Sequence, residues 1–91
     1  MNSAFVATVS GRVHMVMYRD FTQHSARALG IVGEVKNMPD GTVHVVAEGE
    51  RGKLEKLIEK LKQGPFLSRV DGVMVQWTEP TGQYTGFPIA Y

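Results

Sequence analysis

The nine residues from Gly11 to Arg19, Gly-Arg-Val-His-Met-Val-Met-Tyr-Arg, carry the clearest chemical signal in the chain. They follow an apolar run that reads as a strand and lead into a segment with helical spacing. A loop that feeds a helix N-terminus is a ready anion site, because the first N–H groups of a helix have no carbonyl partner within it. Arg19 adds a planar fork of donors matched to phosphate or carboxylate oxygens. Other polar candidates are weaker. His14, His24 and His44 fall on a loop, a helix and a strand without metal-ligand spacing, and there is no cysteine, so neither a metal nor a cofactor is expected. His14, when protonated, could add charge to an anion site. Asp20 suits the dipole of the helix start, but it would repel an anion and is expected to face away.

The elements that must position this loop follow from periodicity. Phe5 to Ser10 reads as a first strand with Phe5, Ala7 and Val9 on the apolar face. Tyr18, Thr22, Ser25, Ala26 and Leu29 recur at helical spacing, and Gly30 is the stop signal. Ile31 to Asn37 forms a second strand, weakened by Gly33, and Met38-Pro39-Asp40-Gly41 is turn chemistry. Thr42 to Glu48 alternates with Val43, Val45 and Ala47 on one side, which makes a hairpin. Leu54, Leu57, Ile58 and Leu61 place an amphipathic helix over Arg51–Lys62, ended by Gly64-Pro65. Val73, Val75 and Trp77 point inward from a fourth strand, with Trp77 expected in the core. The tail Phe87-Pro-Ile89-Ala-Tyr91 alternates as well, and Pro88 limits it to a short edge strand or an irregular tail.

The order is β-α-β-β-α-β with a tail. It predicts an α+β, ferredoxin-like sandwich: an antiparallel sheet with two helices on one face and a short C-terminal edge strand. One geometric consequence matters for chemistry. Strands one and two, joined through a helix, run parallel with the third antiparallel between them, so their C-terminal ends share one edge of the sheet. Arg19 and Asn37 should therefore lie near each other although 18 positions separate them.

Composition sets the class. Ninety-one residues, 43% of them hydrophobic, suit a single domain over 1–91 with a small core. A net charge of +1 makes no strong electrostatic claim on nucleic acid or membrane. The lysines at 53, 56, 60 and 62 are interrupted by Glu55 and Glu59, as on a solvated helix face. The outward positions Val6, Thr8, Ser10, Thr42, His44, Val46 and Glu48 hold no aromatic on which RNA bases could stack. The N-terminus has no basic leader, and no stretch approaches the roughly 18 apolar residues of a membrane span. A cytoplasmic monomer acting on a small molecule is expected.

The segment Gly11 to Arg19 resembles the acylphosphatase signature Gly-x-Val-x-Gly-Val-x-Phe-Arg. The similarity continues through Ala26-Arg-Ala-Leu29-Gly30, Gly33-Glu-Val35-Lys-Asn37, Pro39-Asp-Gly41-Thr-Val43, Ala47-Glu-Gly49 and Tyr84-Thr-Gly86-Phe87, in order and with matching spacing. The resemblance implies hydrolysis of the carboxyl–phosphate bond of a small acyl phosphate. It assigns phosphate binding to Arg19 and to the loop residues Val13, His14, Met15, Val16, Met17 and Tyr18, and orientation of the attacking water to Asn37. That reaction needs few groups. The leaving carboxylate has a conjugate acid of pKa about 4, so it departs without a general acid. Phosphoryl transfer asks mainly for positioning and charge stabilisation.

Two loop residues depart from the family pattern. Met15 stands in place of the second glycine and His14 in place of a usual glutamine; Met17 falls where the family varies. If the backbone at 15 needs φ > 0, or must approach phosphate closely, methionine would strain the loop or crowd the anion. The expectation is reduced or altered activity, with a phosphate-binding module of little catalysis as the alternative.

Overall fold

A computed structural model describes residues 2–90, and Tyr91 of the alternating tail lies outside that range. The elements run β1 (Asn2–Arg12), α1 (Tyr18–Ala28), β2 (Val32–Asn37), β3 (Val43–Glu50), α2 (Arg51–Gln63), β4 (Arg69–Thr78) and β5 (Ile89–Ala90). The strands form one sheet in the order β4-β1-β3-β2-β5. The pairs β1–β3, β1–β4 and β2–β3 are antiparallel, as the sandwich requires. β5 pairs with β2 in parallel, so the sheet is mixed rather than wholly antiparallel. The tail reaches that edge after crossing the sheet, and it therefore runs in the direction of β2.

β1 and β4 are longer than their hydrophobic alternation suggests. They continue pairing past a bulge at Ser10/Gly11, out to Arg12 opposite Arg69. Gly11 allows this. Its φ is 124°, and a Cβ there would stand 2.1 Å from the Arg69 carbonyl oxygen.

The core lies between the sheet and the two helices. Phe5, Ala7 and Val9 of β1 meet Val43, Val45 and Ala47 of β3 on the same face. Leu54, Leu57 and Leu61 of α2, Tyr18 and Ala26 of α1, and Phe87 of the tail cover them. Both helices stop at glycines with positive φ, Gly30 and Gly64, whose N–H groups bond to Arg27 and Lys60 carbonyls.

One expectation about burial needs correction. Trp77 shares the inward face but keeps 36% of its surface exposed. It sits near the end of edge strand β4, edge-on to Phe5, with the Arg51 guanidinium 3.6 Å above its ring. Glu48 faces outward as expected, yet it is only 4% exposed. The segment after β4 folds over it. Thr81 donates to its carboxylate from backbone N–H and hydroxyl, and Gly82 donates from its N–H. Burial raises the carboxyl pKa, but these donors outweigh it and hold the group below its ordinary value. No helix among the described residues is long and apolar enough to cross a membrane.

Candidate active site

The segment between β1 and α1 alternates in and out. Val13 is buried and Val16 packs against the core, while Met15 and Met17 are exposed. This alternation is produced by backbone handedness. Met15 has φ 59° and Met17 has φ 61°, both left-handed, whereas Val16 between them does not. Successive residues of opposite hand turn neighbouring N–H groups toward one side, forming a concavity suited to an anion. α1 then begins with Met17 as N-cap and no side-chain cap, and its first bond runs from the Phe21 N–H to the Met17 carbonyl. The positive end of the helix is thus open to a ligand.

Both left-handed positions carry a cost of about 1 kcal/mol for a residue with a Cβ. The expectation that Met15 strains the loop therefore has a counterpart at Met17, which the sequence does not mark. The crowding half of the expectation is not met. The Met15 side chain is 99% exposed and stands in solvent at the mouth of the cradle rather than filling it.

The loop encloses a cavity of about 330 Å³ with Val13, Met15, Met17, Tyr18 and Arg19 in its wall. Ile89 of β5 closes one side, a contribution the sequence hints at only through the apolar alternation of the tail. Asp20, in the first turn of α1, also contributes to the wall.

Asn37 is positioned by the sheet. Val43 pairs with Val9 on one side and with Asn37 on the other, so Asn37 at the end of β2 is level with Val9, and β1 continues past that level to Arg12. A single carbonyl then ties loop to turn. The Thr42 C=O accepts the Met38 N–H at 2.9 Å and the His14 Nε2–H at 2.8 Å. His14 thus fastens the cradle to the hairpin beside Asn37, and its Nε2 is committed to that carbonyl rather than to an anion. Asp40 stiffens the same turn. The Thr42 hydroxyl, and after it the Thr42 N–H, donate to its carboxylate and lower its pKa. Asn37 Oδ1 is the one buried side-chain polar atom among the described residues with no hydrogen-bond partner. A buried acceptor left open at such a place is a position for a donor such as water.

Tyr18 contributes to the cavity wall, but its hydroxyl is spent elsewhere. It donates to the Leu61 carbonyl at 2.6 Å, in the last turn of α2, where carbonyls lack helical partners. Burial drives the phenol pKa well above its ordinary value, so it stays protonated as a donor. The bond joins the start of α1 to the end of α2 and steadies the first turn that carries Arg19. The described residues contain no group of three or more His, Cys, Asp or Glu that could hold a metal ion.

Comparison with known proteins agrees with this arrangement. A family model described as Acylphosphatase matches residues 5–89. A Thermus thermophilus acylphosphatase is 53% identical over 77 residues, covering 85% of this chain and 88% of the relative. One from Pelotomaculum thermopropionicum is 45% identical over 83 residues, covering 91% and 90%. The crystal structure of acylphosphatase from Bacillus subtilis superposes with a TM-score of 0.94 at 33% identity, over 100% of both chains. An acylphosphatase structure from Coxiella burnetii gives 0.92 at 32% identity, covering 98% of this chain and 93% of that one. The chain belongs to the acylphosphatase family of enzymes.

Proposed function

We propose that the protein hydrolyses small acyl phosphates to carboxylate and phosphate, with Arg19 and the 13–18 loop holding the phosphoryl group and Asn37 placing the water. The observation that carries this reading is the buried Asn37 Oδ1, without a hydrogen-bond partner among the described residues, on the same sheet end as a helix start that has no side-chain cap and carries Arg19. The Arg19 guanidinium holds two non-bridging oxygens and offsets the charge that gathers on them. Loop N–H groups from Val13 to Tyr18 hold the remainder, already oriented by the left-handed turns at 15 and 17. The Asn37 amide oxygen accepts a hydrogen bond from a water and aims the water oxygen at phosphorus. A bond forms from that oxygen to phosphorus as the bond to the acyl oxygen breaks. The pair in the breaking bond leaves with the carboxylate, which is a weak base and needs no proton from the protein. The phosphate that forms sheds the proton brought by the water.

The alternative is a module that binds phosphate and turns over little. The strained pair Met15 and Met17 favours it, since misplacing a loop amide weakens transition-state contacts most. One pair of measurements separates the readings. Inorganic phosphate should raise the melting temperature under both. Enzyme-dependent release of phosphate from acetyl phosphate is expected only under the first, and release at the uncatalysed rate would overturn it.

A further inference from the structure

The wall of the phosphate cradle holds two thioether sulfurs. Met15 and Met17 both line the cavity, and their side chains are open to solvent, 99% and 69% exposed. Val16 between them packs against the core, so the alternating backbone hand presents the methionine before it and the one after it to water. We propose that these two methionines are an oxidation site, at which a peroxide converts the thioethers to sulfoxides and so weakens phosphate binding in the cradle. The proposal rests on reading the cradle as the phosphate site.

Three observations carry it. First, the sulfurs are accessible, and a thioether in solvent meets an oxidant that a buried one does not. Second, oxidation changes what these side chains can do. A thioether is a weak acceptor, so nothing holds Met15 against the donors of the cradle, and it stands in solvent. A sulfoxide oxygen is a strong acceptor at the negative end of its dipole, carried on an unbranched chain with freely turning bonds. It folds over the mouth and accepts from the groups that hold phosphate, the loop N–H groups and the Arg19 guanidinium. Third, the wall already contains the acidic Asp20. Each sulfoxide adds negative potential where a phosphoryl group must enter, and brings no donor with it.

The step is a two-electron oxidation. A sulfur lone pair attacks one peroxide oxygen, and the S–O bond forms as the O–O bond breaks. The proton on the transferred oxygen passes to the departing hydroxide, which leaves as water. Sulfur is oxidised and the peroxide reduced. A dithiol reverses the change: the oxygen leaves as water and the two thiols become a disulfide.

The test treats the full chain with hydrogen peroxide and locates each sulfoxide by peptide mass spectrometry. Two quantities are then measured: kcat/KM for acetyl phosphate, and the rise in melting temperature given by inorganic phosphate. Oxidation at Met15 and Met17 is expected to lower kcat/KM about three- to tenfold, mainly through KM, and to shrink the phosphate-dependent rise. Methionine sulfoxide reductases should restore both. Met74, 77% exposed on β4 opposite Thr8, is open to the same oxidant but lies outside the cradle wall. Met74→Leu should therefore lose activity on oxidation as the parent does. The double variant Met15→Leu, Met17→Leu, compared with its own untreated form, should keep its rate. Sulfoxides at 15 and 17 that leave both quantities unchanged would overturn the proposal, as would resistance of both sulfurs to peroxide or an equal loss in the double variant. A parent chain that responds to phosphate without turnover sinks the hydrolytic reading alone, and the melting temperatures still decide the oxidation site. A parent chain that does neither removes the cradle reading and this proposal with it.

Discussion

The cradle between β1 and α1 and the clasp that follows β4 and closes over Glu48 are two irregular segments that treat their polar groups in opposite ways. At the clasp, a carboxylate only 4% exposed meets backbone and hydroxyl donors from Thr81 and Gly82, and its acceptors are satisfied. At the cradle, two residues with Cβ atoms are held left-handed, the helix start has no side-chain cap, and the Asn37 Oδ1 has no partner among the described residues. The first arrangement lowers the free energy of the fold. The second leaves donors and an acceptor oriented toward a ligand and accepts strain to do so. The same short chain therefore separates anchoring from chemistry, and variants on the two sides should differ in kind.

Arg19→Ala should have the largest effect. Removing the guanidinium from the cradle is expected to lower kcat/KM for acetyl phosphate about 10³-fold, with the melting temperature nearly unchanged. Asn37→Ala should lower kcat about 10²-fold with little change in KM, because water placement matters after phosphate is bound. Glu48→Ala should show the opposite pattern. Losing the hydrogen bonds that tie Thr81 and Gly82 to β3 costs about 1 kcal/mol, read as a melting temperature lower by about 5 °C in a domain of this size. Its turnover below the transition should match that of the parent, and loss of turnover there would break the division. The Glu48 contribution also has a defined pH window. Its folded pKa lies below the ordinary value of 4.5, so the stability it adds is fully present above that value and is lost as pH falls through the folded pKa. Thermal melts between neutral pH and pH 3 should show this loss in the parent and much less of it in Glu48→Ala. Met15→Gly should have the smallest effect. The loop already adopts φ 59° there with the side chain in solvent, so turnover should change by about threefold or less. Relief of strain and the greater chain entropy of glycine nearly offset each other, within about 0.5 kcal/mol. A tenfold rise in kcat would show instead that methionine holds the loop out of its working shape.

The meeting of β1 and β2 at one sheet edge is legible in the sequence because strand parity and the two crossovers leave little freedom. The shared register at Val43 is the structural expression of that constraint. The handedness at Met17 is not legible, since no property of a methionine side chain announces a left-handed backbone. Nor is the Tyr18 bond to Leu61, whose partners lie 43 positions apart on different helices. Glu48 misleads for a related reason. An acidic residue on an outward strand position reads as solvated, and its donors arrive 33 and 34 positions later from an irregular segment without periodicity. Trp77 reads as core by alternation, but alternation specifies a face and not whether a helix covers it.

The roles of Arg19 and Asn37 both depend on one step, attack of water on phosphorus while the phosphoryl group sits in the cradle. Hydrolysis of acetyl phosphate by the parent chain in ¹⁸O-labelled water, followed by mass spectrometry of both products, tests that step most directly. One solvent oxygen is expected in the phosphate and none in the acetate. Label in the acetate would place the attack on the acyl carbon and contradict the roles given to Arg19 and Asn37.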